Sequence, residues 1–279
     1  MKLGVLIAGR RPADVAPRLA QARDAGFSLC QLSLHQTGFG RQDLTEIADA
    51  MLEYGIRPVA VGCYVNPLRP DDAGFMGATR DDLMTLLQSL DIVGARRVVI
   101  ASGSCAAAAH EAHPDNSADA SLEALCDFLA DVVAQTAARN YTLVIEPWTG
   151  HVLSSSDRVI ALHSMLDPRT AGHVRYVLDA PSLIAPETYE QRDEAATAIC
   201  RAFGAAAGVV HFRDVHRSPE GELLSAAPGA GDLDYAGYVE CVVTEAPADV
   251  PGIVRNVRTT EYAGARDYML RLRGDWQLA

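Results

Sequence analysis

Two hydrophobic periodicities alternate along this chain. Short runs that are apolar almost without interruption recur at Leu3–Ala8, Leu29–Leu34, Pro58–Tyr64, Arg97–Ala101, Thr142–Pro147, Val174–Asp179, Val209–Arg213 and Gly252–Val257. A strand covered on both faces reads this way, because every side chain meets an apolar neighbour. Between the runs lie amphipathic stretches of helical period: Ala13–Ala25, Asp43–Tyr54, Asp81–Val93, Ser121–Arg139, Asp157–Leu166, Glu187–Phe203, Tyr235–Glu245 and Glu261–Leu272. Gly26, Gly55 and Gly94 follow the first three, where a helix commonly ends on a left-handed residue. Asp43, Asp81, Ser121 and Asp157 stand near helix starts, where an acidic or hydroxyl side chain satisfies free amides.

Eight strands alternating with eight helices predict the α/β class and a single (β/α)8 TIM barrel over residues 1–279. The length of 279 residues suits that reading, since such barrels run to about 250 residues in one unit. An open doubly wound sheet is the alternative. Its dinucleotide-binding form carries G-x-G-x-x-G after the first strand, and here that turn reads Ala8-Gly9-Arg10-Arg11-Pro12. The alanine-rich segment Gly103–Pro114 reads as a loop over the barrel mouth.

Composition narrows the partners. Acidic residues number 36 against 24 basic ones, for a formal charge of −12. That balance opposes the phosphate neutralisation on which nucleic-acid binding rests, so no nucleic-acid partner is expected. No segment approaches roughly 18 consecutive apolar residues, so no membrane span is expected. The opening MKLGVLIAGR has an apolar stretch shorter than a signal-peptide core. The six cysteines form no C-x-x-C pair, which points to reduced thiols in a cytoplasmic protein.

Candidate chemistry sits at the strand ends. Thr142-Leu143-Val144-Ile145-Glu146 ends on a carboxylate, Arg175-Tyr176-Val177-Leu178-Asp179 on another, and Gly208-Val209-Val210-His211 on an imidazole. One βα unit separates each from the next: 33 residues from 146 to 179 and 32 from 179 to 211. In a barrel, successive units set equivalent strand ends side by side, so the three groups should converge at one mouth. Two carboxylates and an imidazole are hard donors with positions left for substrate oxygens, a donor set for a divalent metal. Any one of them alone would pass for a helix cap or a core histidine; three in register are harder to explain that way.

The series VIEP around Glu146, VLDAPS around Asp179, HFRDV around His211 and PGAGDLDY from Pro228 to Tyr235 resembles the xylose-isomerase-like barrel superfamily, in particular its sugar phosphate isomerase/epimerase family. The resemblance covers nearly the whole chain and rests on the order and spacing of the motifs. It implies one Mn²⁺, Mg²⁺ or Co²⁺, with Zn²⁺ as an alternative, held by Glu146, Asp179, His211 and a second Glu on the last strand. It also implies a small-molecule substrate, a hydroxylated carbonyl compound such as a sugar, and a barrel that associates into a homo-oligomer. Arg217 takes the place of a family arginine that binds substrate oxygens, and Ser182 that of a substrate-contacting histidine.

The last strand departs from the pattern. Pro251-Gly252-Ile253-Val254-Arg255-Asn256-Val257 holds no carboxylate, and Arg255 or Asn256 stands where the second Glu is expected. Neither can exchange a proton as a carboxylate does. Proton abstraction beside a polarised carbonyl would then fall to Glu146 itself or to a histidine, with His151 and His35 preferred and His216 a further candidate. Trp148 could wall the substrate, and Asn256 and His216 could bind it. An isomerase or epimerase is the leading expectation. A dehydrating lyase is the second, and a barrel that has lost catalysis and serves as a binding partner the third. A DNA phosphodiesterase, which the wider superfamily includes, fits worst, because it calls for a histidine-rich metal cluster and a basic surface.

Overall fold

A computed structural model describes residues 1–34, 38–72, 77–136 and 139–276. Its strands, numbered along the chain, are β1 (Leu3–Gly9), β2 (Leu29–Leu34), β3 (Arg57–Gly62), β4 (Arg97–Ala101), β5 (Thr142–Glu146), β6 (Val174–Leu178), β7 (Ala207–Phe212), β8 (Asp214–Arg217), β9 (Leu223–Ala226) and β10 (Gly252–Val254). Eight of them close a parallel barrel in the order β1-β10-β7-β6-β5-β4-β3-β2, the (β/α)8 arrangement the sequence predicts. Closure runs through β1 and β10, where Leu3, Gly4 and Val5 pair with Gly252, Ile253 and Val254.

Around the barrel lie α1 (Pro12–Asp24), α2 (Arg41–Tyr54), α3 (Arg80–Gln88), α4 (Leu90–Val93), α5 (Asp119–Thr136), α6 (Ser156–Met165), α7 (Pro168–His173), α8 (Arg192–Phe203), α9 (Tyr235–Glu245) and α10 (Tyr262–Leu272). Three differ from the sequence pattern. The helix expected over Asp81–Val93 breaks at Ser89, which leaves helical geometry while its hydroxyl accepts from Arg41 Nη1 at 3.3 Å. The stretch from Glu187 opens as a 3-10 turn over Pro186–Gln191 and becomes α-helical only at Arg192. Helix α7 is a six-residue element that the pattern does not announce; the Asp167 carboxylate caps it by accepting from the Arg169 and Thr170 amides.

The core has two parts because each strand is buried on both faces. Ala60, Tyr64, Val99, Ala101, Val144, Val177, Val209 and Ile253 fill the barrel lumen. The outward set, including Leu3, Ile7, Leu32, Ile100, Leu143, Tyr176 and Phe212, packs under the helices. The lumen set fixes the site. Side chains alternate across a strand, so the residue two places beyond an inward valine also points inward, one layer higher. Glu146 follows Val144, Asp179 follows Val177, His211 follows Val209 and Arg255 follows Ile253.

Two features shape the mouth. Strands β8 and β9 form an antiparallel hairpin after β7, unforeseen in the sequence because its four-residue strands mix polar and apolar positions. The expected loop from Gly103 is anchored by Asn66, whose Nδ2 donates to the Ser104 carbonyl at 2.8 Å and whose Oδ1 accepts from the Ser104 amide at 3.0 Å. All six cysteines are free thiols. Among the described residues no helix is long and apolar enough to cross a membrane.

Candidate active site at the barrel mouth

The three sequence candidates meet. Glu146 at the end of β5, Asp179 just past β6 and His211 in β7 each bring a ligand-capable atom within 4.8 Å of the others, a group that could hold a metal ion. His211 is fully buried. Its Nε2 lies 2.9 Å from Gln31 Oε1, an acceptor only, so Nε2 carries the proton and Nδ1 presents a lone pair to the centre. Gln31 in turn donates from Nε2 to the Tyr64 hydroxyl at 3.2 Å, which fixes the orientation of its amide.

A fourth group holds the middle of this cluster. Arg255 extends from the end of β10, anchored by its amide, which donates to the Phe212 carbonyl at 2.9 Å. Its Nη1 donates to Glu146 Oε1 and, at 2.8 Å, to His211 Nδ1, and lies 3.7 Å from Asp179 Oδ2. Arg213, two residues beyond His211, completes the charge pattern. Its Nε donates to both oxygens of Asp179, at 3.0 and 2.9 Å, and its Nη1 reaches Ser225 Oγ on β9 at 2.5 Å.

The ionisation states follow. Burial alone would raise the Glu146 carboxyl, but the Arg255 guanidinium outweighs it and holds the group far below the usual carboxylate range. Burial likewise opposes ionisation of Asp179, and Arg213 and Arg255 overcome it. Burial and the facing Glu146 charge push the Tyr64 hydroxyl well above its ordinary value. Two anions thus balance two guanidinium cations around a neutral imidazole.

Above this cluster opens a cavity of about 260 Å³ lined by Tyr64, Glu146, Trp148, His151, Ser182, Arg213, Ser225, Arg255 and Asn256, with Ala101 at its side. His151 is buried, and its Nε2 lies 2.9 Å from the Ala109 carbonyl, which leaves Nδ1 as the unprotonated nitrogen. Desolvation pushes its pKa down to about 4. Trp148 meets the His151 ring edge-on at 4.8 Å between centroids and remains partly exposed. Three buried polar atoms here make no well-formed hydrogen bond among the described residues: Glu146 Oε2, His151 Nδ1 and Arg255 Nε.

Several sequence candidates sit elsewhere or act otherwise. Arg217 turns away from the cavity: its Nη1 donates to Glu190 at 2.7 Å, its Nη2 to the Pro186 carbonyl at 2.9 Å, and its guanidinium covers the Tyr189 ring. His216 lies on β8 near Asp232 and is absent from the cavity lining. Ser182 lines the cavity, but its hydroxyl serves the backbone, donating to the Pro147 and Asp179 carbonyls. Asn256 takes a left-handed backbone conformation at φ 57°, which asparagine tolerates better than most residues, and stands at the cavity edge. His35 lies outside the described residues. Sequence reading passed over Tyr64, Gln31, Arg213 and Ser225. Arg213 was within reach of it, being two residues past His211 on the same face of the strand.

A barrel whose mouth gathers two carboxylates and an imidazole on successive strands defines a class of protein, the (β/α)8 barrels with a polar centre at the strand ends. The pattern characteristic of xylose isomerase-like TIM barrels matches residues 19–245, and the chain belongs to that family. No curated protein matches its sequence. Among solved structures, an L-ribulose 3-epimerase aligns over 98% of this chain and 94% of its own at 17% identity, with a TM-score of 0.68. A D-psicose 3-epimerase, in the presence of D-fructose, aligns over 98% and 100% at 11% identity, TM-score 0.69. A xylose isomerase-like TIM barrel protein from Mycobacterium smegmatis, in complex with magnesium, aligns over 96% of each chain at 12% identity, TM-score 0.68. At these identities the likeness speaks for the fold.

The donor set can be tested against the divalent ion that the resemblance implies. The three residue types are right, but the point facing all three is taken by Arg255 Nη1, and both Asp179 oxygens already accept from Arg213. With Arg255 placed so, the centre does not fit a divalent ion as well.

Proposed function

We propose that this chain catalyses proton transfer on a small hydroxylated carbonyl compound, a sugar or sugar-like molecule, as an isomerase or epimerase. One observation carries the reading: Glu146, His151 and Arg255 line one cavity, and each keeps a buried polar atom, Oε2, Nδ1 and Nε respectively, that makes no well-formed hydrogen bond among the described residues. Two lone pairs and one charged donor are the complement of an α-hydroxy carbonyl, which offers a hydroxyl proton and an acceptor oxygen. A cavity of about 260 Å³ falls just below the roughly 300–1,000 Å³ of drug-sized sites, which suits a small ligand.

The roles follow from the states of the groups. Arg255 binds the carbonyl oxygen and stabilises the negative charge that grows there as the adjacent carbon loses its proton. Glu146, kept ionised, is the base; a substrate oxygen that draws a guanidinium N–H away from it returns basicity to the carboxylate. His151, neutral with a free Nδ1, accepts the substrate hydroxyl and steers it. Trp148 covers the carbon chain. The ion of the resemblance, whether Mn²⁺, Mg²⁺, Co²⁺ or Zn²⁺, would need the position Arg255 holds. The epimerase neighbours support the chemistry by analogy only. The free cysteines support a cytoplasmic setting, and a homo-oligomer is the association the family resemblance suggests.

Deuterium exchange tests the reading. Ketoses and hydroxy ketones incubated with the protein in D₂O should take up deuterium beside the carbonyl, read by NMR. Glu146→Gln should slow the exchange by roughly 10²–10⁴-fold, the usual worth of a positioned base. A product lighter by one water would assign the lyase reading, which begins with the same proton abstraction. Neither exchange nor product across the panel would favour the non-catalytic barrel.

A further inference from the structure

We propose that Arg255 is a resident cation standing in for the divalent metal at the Glu146–Asp179–His211 centre, so that the chain binds and activates its substrate without a metal. This deepens the proton-transfer reading and rests on it only for the role of the cation in catalysis. The placement of the cation rests on geometry alone.

Four observations converge. Nη1 of Arg255 is within hydrogen-bonding distance of Glu146 Oε1 and His211 Nδ1 and 3.7 Å from Asp179 Oδ2, so one nitrogen faces the same three atoms an ion would. Two of the three groups are already engaged, Nδ1 of His211 by Arg255 and both oxygens of Asp179 by Arg213 Nε. Charge is balanced as it stands, with two guanidinium groups against two carboxylates, so a divalent ion would leave a surplus of two positive charges in a buried site, a costly state. Finally, the guanidinium is held. Its backbone amide donates to the Phe212 carbonyl at 2.9 Å, and its Nη1 donates to Glu146 and His211, so both ends of the residue are tied to the barrel mouth although it also borders a second cavity lined by Asp14, Arg18 and Arg258.

The substitution also changes the chemistry available. A metal takes oxygen lone pairs from any direction, whereas a guanidinium is planar, stays protonated and offers directed N–H donors. Arg255 can therefore bind a carbonyl or enediolate oxygen but cannot carry a proton between faces of the substrate carbon. Proton traffic falls to Glu146 and to His151.

Mn²⁺ binding, read by electron paramagnetic resonance and calorimetry without any substrate, tests the proposal. Wild-type protein purified without chelators should contain no stoichiometric divalent metal and bind no Mn²⁺ up to millimolar concentration. Its thermal midpoint should be the same with and without EDTA. Arg255→Glu, which restores the family's fourth carboxylate, should gain Mn²⁺ affinity by at least roughly 10–100-fold, the scale on which neighbours of a metal centre act. Arg255→Ser, which simply empties the position, serves if the first variant does not fold. About one divalent ion per wild-type chain, removable by EDTA, would overturn the proposal whatever the variants do. So would a wild type that binds Mn²⁺ as tightly as the serine variant. Because no substrate enters these measurements, they can fail while deuterium exchange succeeds, and the reverse.

Discussion

His151 shows how one buried residue writes a pH dependence into the protein. Its ring is enclosed by Trp148 and by the loop bearing Ala109, and the titratable groups facing it are Glu146, which favours the charged form, and His110, which opposes it. Desolvation dominates and pushes the pKa from 6.5 down to about 4. The unfolded chain therefore takes up a proton between those values that the folded chain refuses. Stability is full above about pH 6.5 and falls as pH drops toward about 4, by roughly 3 kcal/mol if the whole shift is expressed. Urea unfolding followed from pH 7.5 to pH 5 should show that decline in the wild type and a flatter profile in His151→Gln. Identical slopes would mean that the ring is solvated. The window lies above the range where Glu146 and Asp179 titrate, so their loss does not mask it. At this scale the sequence was informative wherever the period-two ladder applied: Val144 to Glu146, Val177 to Asp179 and Val209 to His211. It left the last strand open between Arg255 and Asn256. Strand β10 ends at Val254, and which of two following residues turns inward depends on the local backbone, here settled by the left-handed Asn256.

The elements around the mouth depend on backbone amides held by side chains, and the turn before α9 is the clearest case. Asp214, fully buried at the start of β8, accepts from the amides of Val215 at 2.7 Å, Gly231 at 3.1 Å and Leu233 at 3.3 Å. One carboxylate thereby ties the hairpin to the segment entering α9, whose own cap is Asp234. Each amide left without a partner in a buried place costs on the order of 1–3 kcal/mol, so Asp214→Ala should lower unfolding stability by several kcal/mol. Asp214→Asn keeps one acceptor oxygen and should lose less. Gly231 admits no side chain here, since a Cβ would run into the Val215 carbonyl and the Asp214 carboxylate. Gly231→Ala should therefore act in the same direction as the alanine at 214. Chemical denaturation of the three variants checks the order, and an Asp214→Ala protein as stable as the wild type would show that solvent satisfies those amides. The hairpin itself was not legible in the sequence. Strands of four residues carry too few positions for a period to emerge.

At the scale of the whole molecule, net charge sets an expectation for the partners of the mouth. The chain carries a formal −12, and three of the cations around the mouth are paired with carboxylates: Arg255 with Glu146, Arg213 with Asp179, Arg217 with Glu190. A polyanion gains affinity by releasing counterions as basic side chains neutralise its phosphates, and a net charge of −12 opposes that exchange. A small neutral substrate pays no such penalty. A fluorescently labelled DNA duplex should accordingly show no binding by anisotropy at protein concentrations above the roughly 10⁻⁴–10⁻⁶ M range of ordinary non-specific DNA binders. The expectation holds for abasic duplexes as well, since an extruded sugar would still bring its flanking phosphates against a chain of net negative charge. Submicromolar binding that weakens steeply with salt would reveal a basic path across the mouth and move the substrate class from free carbonyl compounds to nucleic acid.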